Sequence, residues 1–220
     1  QRSLPSSLRG HGRPGEASSS FPPDSVKANI NLQQGAAFKA TSAAPVEGYG
    51  VFVPQWEVQA TPGGETLLLS GTVEEVQAQL LEINPDYEAF FGLNSTAPNK
   101  AVMEDASQRD VVFKDAPVNC EGFEGADRDA IARGARYLMD VSGKPANGAG
   151  PNNCGRVSCS WDSAIWWCNS DTKPKTLNSF RDISDGAYHI IGKCYKDNGS
   201  ISGQAFHKDN WNVIAKKANC

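Results

Sequence analysis

The chain has 220 residues, 39% of them hydrophobic and 21% charged, with a formal net charge of −4 and a mean hydropathy of −0.45. No apolar run approaches the ~20 residues of a membrane-spanning helix, so no stable membrane insertion is expected. The small acidic balance likewise gives no basis for a nucleic-acid partner.

All six cysteines lie between Cys120 and Cys220, without paired CxxC spacing, and the only histidines are His11, His189 and His207. That pattern favours three disulfides in an oxidised, secreted domain over a zinc site, so neither a metal nor a cofactor is expected. Residues 1–119 carry 8 Lys and Arg against 14 Asp and Glu, and residues 120–220 carry 13 against 11. An acidic half beside a mildly basic one fits a pro-segment lying on its mature domain. Simple drift in composition fits equally.

Residues 1–46 are dense in Ser, Gly and Pro without sustained periodicity and are expected to be disordered or loosely ordered. They show no signal-peptide pattern, and an export leader is expected to have been removed ahead of Gln1. Residues 47–95 then read as a ββα unit. A strand is expected over 50–60, with Trp56 and Val58 on one side and Pro54 marking an edge or a bulge. Thr61-Pro62-Gly63-Gly64 is a turn, and 66–70 is a second strand. Thr72 and Glu75 form a capping box ahead of a helix with Val73, Val76, Leu80 and Ile83 on one stripe. Asn84-Pro85 ends it. So small a unit buries little core alone and is expected to pack on the cysteine domain. Residues 96–119 read as a polar connector. Asn94-Ser95-Thr96 is a glycosylation sequon, and Arg109 is a weak monobasic cleavage point.

The cysteine domain, 120–220, reads helix, hairpin, helix, hairpin. Residues 127–140 form the first helix, with Ile131, Ala135, Leu138 and Met139 inward and Asp127 and Asp129 in the first turn, where they suit the helix dipole. Gly134 costs ~1 kcal/mol there relative to Ala, which predicts close approach to a sheet. After a loop at 143–151, CGRVSCSWDSAIWWC makes a hairpin. With Asp162-Ser163 as its turn, Trp161 faces Ala164, Cys159 faces Trp166 and Val157 faces Cys168, so Val157, Cys159, Trp166 and Cys168 share a face. Ser179 caps the second helix, 179–194, whose stripe is Phe180, Ile183, Ala187, Ile190 and Cys194. Asp197 to Ser200 is a turn carrying a second sequon at Asn198, and 201–206 with 211–216 close the domain. The fold class is therefore α+β: a disulfide-stapled two-layer domain with an antiparallel sheet and the ββα unit packed on it. Six cysteines allow many connectivities. A Cys194–Cys220 bridge would contribute ~3 kcal/mol on the chain-entropy model; of the pairings still open to the other four, Cys120–Cys159 and Cys154–Cys168 are expected.

No GxSxG, HExxH, P-loop or Rossmann fingerprint is present, so no catalytic residue is assigned and the chain is not expected to be an enzyme. His189 lies beside an apolar stripe and His207 ends a strand. Structural or surface roles suit both, with a general base in a small hydrolase as the alternative. The carboxylates Asp182 and Asp185, like Asp127 and Asp129, belong to first helical turns. Trp166 and Trp167 are adjacent on a strand and point to opposite faces. One belongs to the core; the other needs a cover from a helix, the N-terminal segment or a partner, and Trp is a favoured interface anchor. Both are therefore candidate partner-binding residues with Lys173 and Lys175. Lys208, Lys216 and Lys217 extend these into a basic rim or a solvated edge.

The stretches NCGRVSCSWDSAIWWCNSD, SFRDISDGAYHIIGKC and SGQAFHKDNWNVI, with WEVQATPGGETLLLSGTVEEVQAQLLEINPDY upstream, resemble a family of small secreted cysteine-rich fungal proteins that carry a pro-region. The likeness covers about 170 residues and departs from the family in lacking a dibasic junction. It implies an effector of a plant-associated fungus with killer-toxin-like α/β structural relatives. Such a protein acts in the host apoplast as a monomer that binds an extracellular host protein, in one case a papain-like cysteine protease that it inhibits. The alternative implied function is a killer-toxin-like antimicrobial acting on a competitor's membrane or channel. For inhibition the candidate loops are 143–151 and 169–176.

Overall fold

In the computed structural model, which describes residues 43–91, 113–141 and 143–220, the chain winds around a six-stranded sheet. The first elements are β1 (Gly50–Phe52), β2 (Gln55–Gln59), β3 (Thr66–Ser70), α1 (Val73–Ile83) and the short α2 (Tyr87–Phe90). Next come β4 (Val118–Asn119), β5 (Ala126–Asp127), α3 (Arg128–Asp140), β6 (Ala146–Asn147), β7 (Asn153–Ser160) and β8 (Ser163–Asn169). They are followed by β9 (Lys175–Thr176), α4 (Arg181–Cys194), β10 (Ser200–Ile201), β11 (Gly203–His207) and β12 (Trp211–Lys217). The sheet order is β1-β7-β8-β12-β11-β4. Its pairs are antiparallel except β1 with β7, which is parallel. With three disulfides, this is a disulfide-stabilised α+β fold.

α3 and α4 lie against one face of the sheet and against each other. Asp127 caps α3 by accepting from the Ala130 amide at 2.7 Å. Ala130, Ile131, Gly134, Ala135 and Leu138 are its buried stripe, whereas Met139 is only partly buried. Gly134 is required by contact: a Cβ there would overlap the Ser158 hydroxyl and come within 3.3 Å of Ile165. α4 buries Phe180, Ile183, Ala187, Ile190 and Cys194. Its N-cap is Phe180 rather than Ser179. The Ser179 hydroxyl instead accepts from the Arg181 amide at 3.1 Å, because the chain is already helical at Phe180. The helices are joined by the buried Ser184 hydroxyl, which donates to the Ala135 carbonyl at 2.7 Å.

Residues 43–91 share this core. The expected strand over 50–60 is broken at Pro54, which cannot donate to a ladder. β1 joins the main sheet, while β2 pairs only with β3. Trp56 is fully buried, stacks on Phe180 at 4.1 Å and donates to the Gly71 carbonyl at 2.8 Å. The capping box forms: the Thr72 amide donates to Glu75 at 2.7 Å, and the Glu75 amide to Thr72 Oγ1 at 3.4 Å. Glu74 then accepts from the Ser158 hydroxyl and, at 3.0 Å, from the Cys159 amide. Residues 113–119 are more than connector. Phe113 is fully buried and β4 pairs with β11 at the sheet edge. The described residues all fall within one compact unit, Phe38–Cys220; the sequon at Asn94 and the basic residue Arg109 lie outside the described residues.

The central hairpin turns one residue earlier than expected. Ser160 pairs with Ser163, so Trp161-Asp162 is the turn, and Cys159 faces Ala164. A register shift between Arg156 and Ser158 then moves Val157 into the helix-side core, while Cys154, Cys159, Trp166 and Cys168 gather on the other face. A bulge inserts a residue and flips everything beyond it. Two expected disulfides are corrected accordingly. Cys154 does pair with Cys168, directly across the hairpin. Cys120 pairs with Cys194, because β4 runs along the sheet edge beneath the end of α4. Cys220 follows β12 past the hairpin and meets Cys159, on the β12–β8–β7 side of the sheet, away from Cys194.

Candidate functional site

One end of the sheet gathers the 143–151 and 169–176 loops and the β11–β12 turn. β6 and β9 pair Ala146 with Thr176 and Asn147 with Lys175, so the two loops form one body. Asn169 is fully buried at its centre. Its side-chain amide donates to the Gly148 and Lys173 carbonyls, each at 2.8 Å, and its oxygen accepts from the Asp171 amide at 3.0 Å. The Gly150 amide donates to Asp171 O at 2.8 Å and the Leu177 amide to Pro145 O at 3.0 Å. Asn147 closes the set by donating to Asn153 O at 2.9 Å. Backbone groups in loops are otherwise left to water; here they are held inside the protein, which fixes the loops' shape.

Beside this body is a cleft of about 340 Å³ lined by Lys175, Asn178, Asp182, His207, Lys208, Asp209 and Trp211. His207 stacks on Trp211 at 4.5 Å and meets Phe113 edge-on at 5.5 Å. Its Nδ1 accepts from the Asp209 amide at 3.2 Å, which orients the ring. Burial lowers the His207 pKa below the ordinary histidine value, with Asp209 acting in the opposite direction. Two lysines and two aspartates leave the lining without a dominant sign, so it favours neither anions nor cations by charge alone. His189 also packs on Phe113, at 5.9 Å, with Nε2 at 3.2 Å from Ala116 O, but only His207 reaches the cleft. Among the described residues no group of three or more His, Cys, Asp or Glu side chains is placed to hold a metal ion. None of their helices is long and apolar enough to cross a membrane.

The residues expected to bind a partner separate. Lys173 is exposed on the loop body, and Lys175 lines the cleft with an ion pair to Asp171 at 3.7 Å. Trp166 and Trp167 are each 1% exposed, so neither offers surface to a partner. Trp167 lies in the helix-side core. Trp166 lies among Cys154, Ala164, Cys168 and Ile214 under Val46, Tyr49, Val51, Phe123 and Ala218. Of the three expected sources of cover, it is the segment before β1 that contributes here, through Val46 and Tyr49. A single basic rim does not form either. Lys216 donates to Pro45 O at 3.1 Å and Lys217 binds Glu124 at 2.6 Å, both at the end of β12 opposite the loop body. Asn198 is exposed on its turn, where its oxygen accepts from the Ser200 hydroxyl at 2.7 Å.

A second groove, of about 470 Å³, runs between β2 and the start of the 143–151 loop, lined in part by Val53, Glu57, Leu68 and Lys144. At the other end of the sheet stands the residue that sequence reasoning missed. Trp161 is 79% exposed at the hairpin tip, and it escaped notice because the expected register placed it inside a strand. Comparison with known proteins returns no matching family model, no similar curated protein and no similar solved structure. The functional reading therefore rests on the residues themselves.

Proposed function

We propose that the chain is a secreted effector of a plant-associated fungus that acts by binding an extracellular host protein, most concretely a papain-like cysteine protease that it inhibits to suppress immunity. The observation that carries this reading is rigidity at the ends of a cystine-stapled sheet. An inhibitor that lies in a protease cleft must keep its shape there, because ordering a loose loop on binding consumes affinity. The paired 143–151 and 169–176 loops are internally hydrogen-bonded beside the Cys154–Cys168 disulfide, and the hairpin tip at the other end is backed by Cys159–Cys220. Three disulfides suit a protein that works outside the cell. On this reading the helix, hairpin, helix, hairpin order and the ββα unit serve as a frame, and binding needs no cofactor and no catalytic residue. The test uses the full chain with papain-like proteases of plant apoplastic fluid and an active-site-directed probe. Dose-dependent loss of probe labelling is expected. Unchanged labelling across the panel at saturating effector would sink the reading.

A further inference from the structure

Trp161 has the highest fractional exposure of the large apolar side chains among the described residues, while Trp56, Trp166, Trp167 and Trp211 are 0 to 3% exposed. It does not sit on a loose end. The Ser163 hydroxyl donates to the Trp161 carbonyl at 3.0 Å, the Ala218 amide donates to the Asp162 carbonyl at 3.0 Å, and the Cys159–Cys220 disulfide lies directly behind the turn. Trp161 and Asp162 have φ of 50° and 51°, the positive-φ pair that a two-residue hairpin turn prefers to fill with Asn and Gly. A bulky side chain in that backbone is strained, and strain of this kind concentrates where a chain grips ligands. These contacts hold the turn in its strained backbone, and the described residues leave the indole largely uncovered.

We infer that Trp161 is the anchor of the interaction: resting on the inhibitor reading above, the hairpin tip enters an apolar subsite of the protease cleft. A rigid convex tip ending in one tryptophan matches a concave apolar pocket, the setting in which Trp carries most binding energy. Its backbone is fixed before binding, and the indole has only two side-chain torsions left to order. The exposed Asp162 beside it opposes an anionic lipid surface. The loop body at the other end of the sheet offers no aromatic residue within 143–151 or 169–176, so it lacks an anchor of this kind.

The experiment compares the full-length wild type with Trp161→Ala, Trp161→Phe and the double variant Lys173→Ala/Lys175→Ala against one papain-like protease that the wild type inhibits. Trp161→Ala is expected to weaken inhibition about 30-fold, the loss typical of a hot spot, and more than the lysine variant, whose side chains lie on the loop body and its cleft. Because the other four tryptophans are buried, a protease-induced blue shift of indole emission reports on Trp161, and Trp161→Phe should abolish it. Full inhibition by Trp161→Ala with loss in the lysine variant would overturn the anchor while leaving protease inhibition standing. A wild type that inhibits no papain-like protease would overturn both. A blue shift with phosphatidylserine vesicles and none with protease would overturn the anchor in favour of a lipid contact.

Discussion

Trp161 and Asp162 carry the clearest conflict between local preference and observed structure. Left-handed backbone costs a residue with a side chain roughly 1 kcal/mol or more, and both central residues of the turn adopt it. Exchanging the pair for Asn-Gly should therefore raise stability by about 1–2 kcal/mol, seen as a higher urea midpoint at unchanged slope. A lower midpoint would mean that the indole packs usefully against the tip. His207 supplies a second expectation, in pH. Its pKa is lowered from 6.5 chiefly by burial, with Asp209 and Asp182 pulling it up and Lys208 and Lys175 pulling it down. Between the lowered value and 6.5 the unfolded chain binds the proton that the folded chain refuses, so stability falls as pH drops through that window. Above 6.5 the ring contributes no slope. His207→Phe keeps an aromatic ring against Trp211 and should flatten the decline in melting temperature between about pH 7 and 5. Parallel pH profiles for the two proteins would refute this.

At the scale of elements, α1 is fixed to the hairpin by one carboxylate. Glu74, in the first turn of α1, accepts from the Ser158 hydroxyl and the Cys159 amide, immediately beyond the register shift in β7. Bonds to a charged acceptor are worth about 1.5–3 kcal/mol, and losing one leaves its donor desolvated. Glu74→Ala should therefore lower the unfolding free energy by about 2 kcal/mol, with Glu74→Gln losing less; equal stability of all three would show that water replaces the carboxylate at no cost. Some of these elements were legible in the chain. The Thr72–Glu75 capping box is a local pattern with a local cause, and the close approach at Gly134 follows from a costly residue inside a helical stripe. The bulge at Val157 was not legible. Nothing in GRVSC marks it, and the partners that define it, Glu74 and the α3 face with Gly134, are distant in sequence.

Across the whole molecule, the disulfides join positions within 120–220, while residues 43–91 are held by packing and hydrogen bonds. Trp56 on Phe180, β1 along β7, and Val73, Val76 and Leu80 in the common core tie the two parts together. Removing residues 43–91 would uncover Phe180 and the Trp166 face together, which makes that segment a structural member of the fold. A chain cut at a protease site inserted between Phe91 and Phe113 should therefore elute as one particle under native conditions. It should separate into two pieces in denaturant without reductant. Separation under native conditions would instead mark residues 43–91 as a detachable cover.

The sequence by itself determined that the cysteines form disulfides, the capped helix, the close-packed glycine and the hairpin's existence, because each follows from composition or from residues a few positions apart. The expected Cys154–Cys168 pairing also holds, although the expected register had set Val157 opposite Cys168. Only the tertiary structure decided the other two disulfides, the burial of both Trp166 and Trp167, and the meeting of Lys175 with His207 in one cleft. Those outcomes depend on strand order and on a one-residue register shift. Because side chains alternate along a strand, such a shift exchanges buried for exposed positions. The shifted turn left Trp161 at the tip, and the cover from Val46, Tyr49 and Phe123 took Trp166 out of the candidate interface.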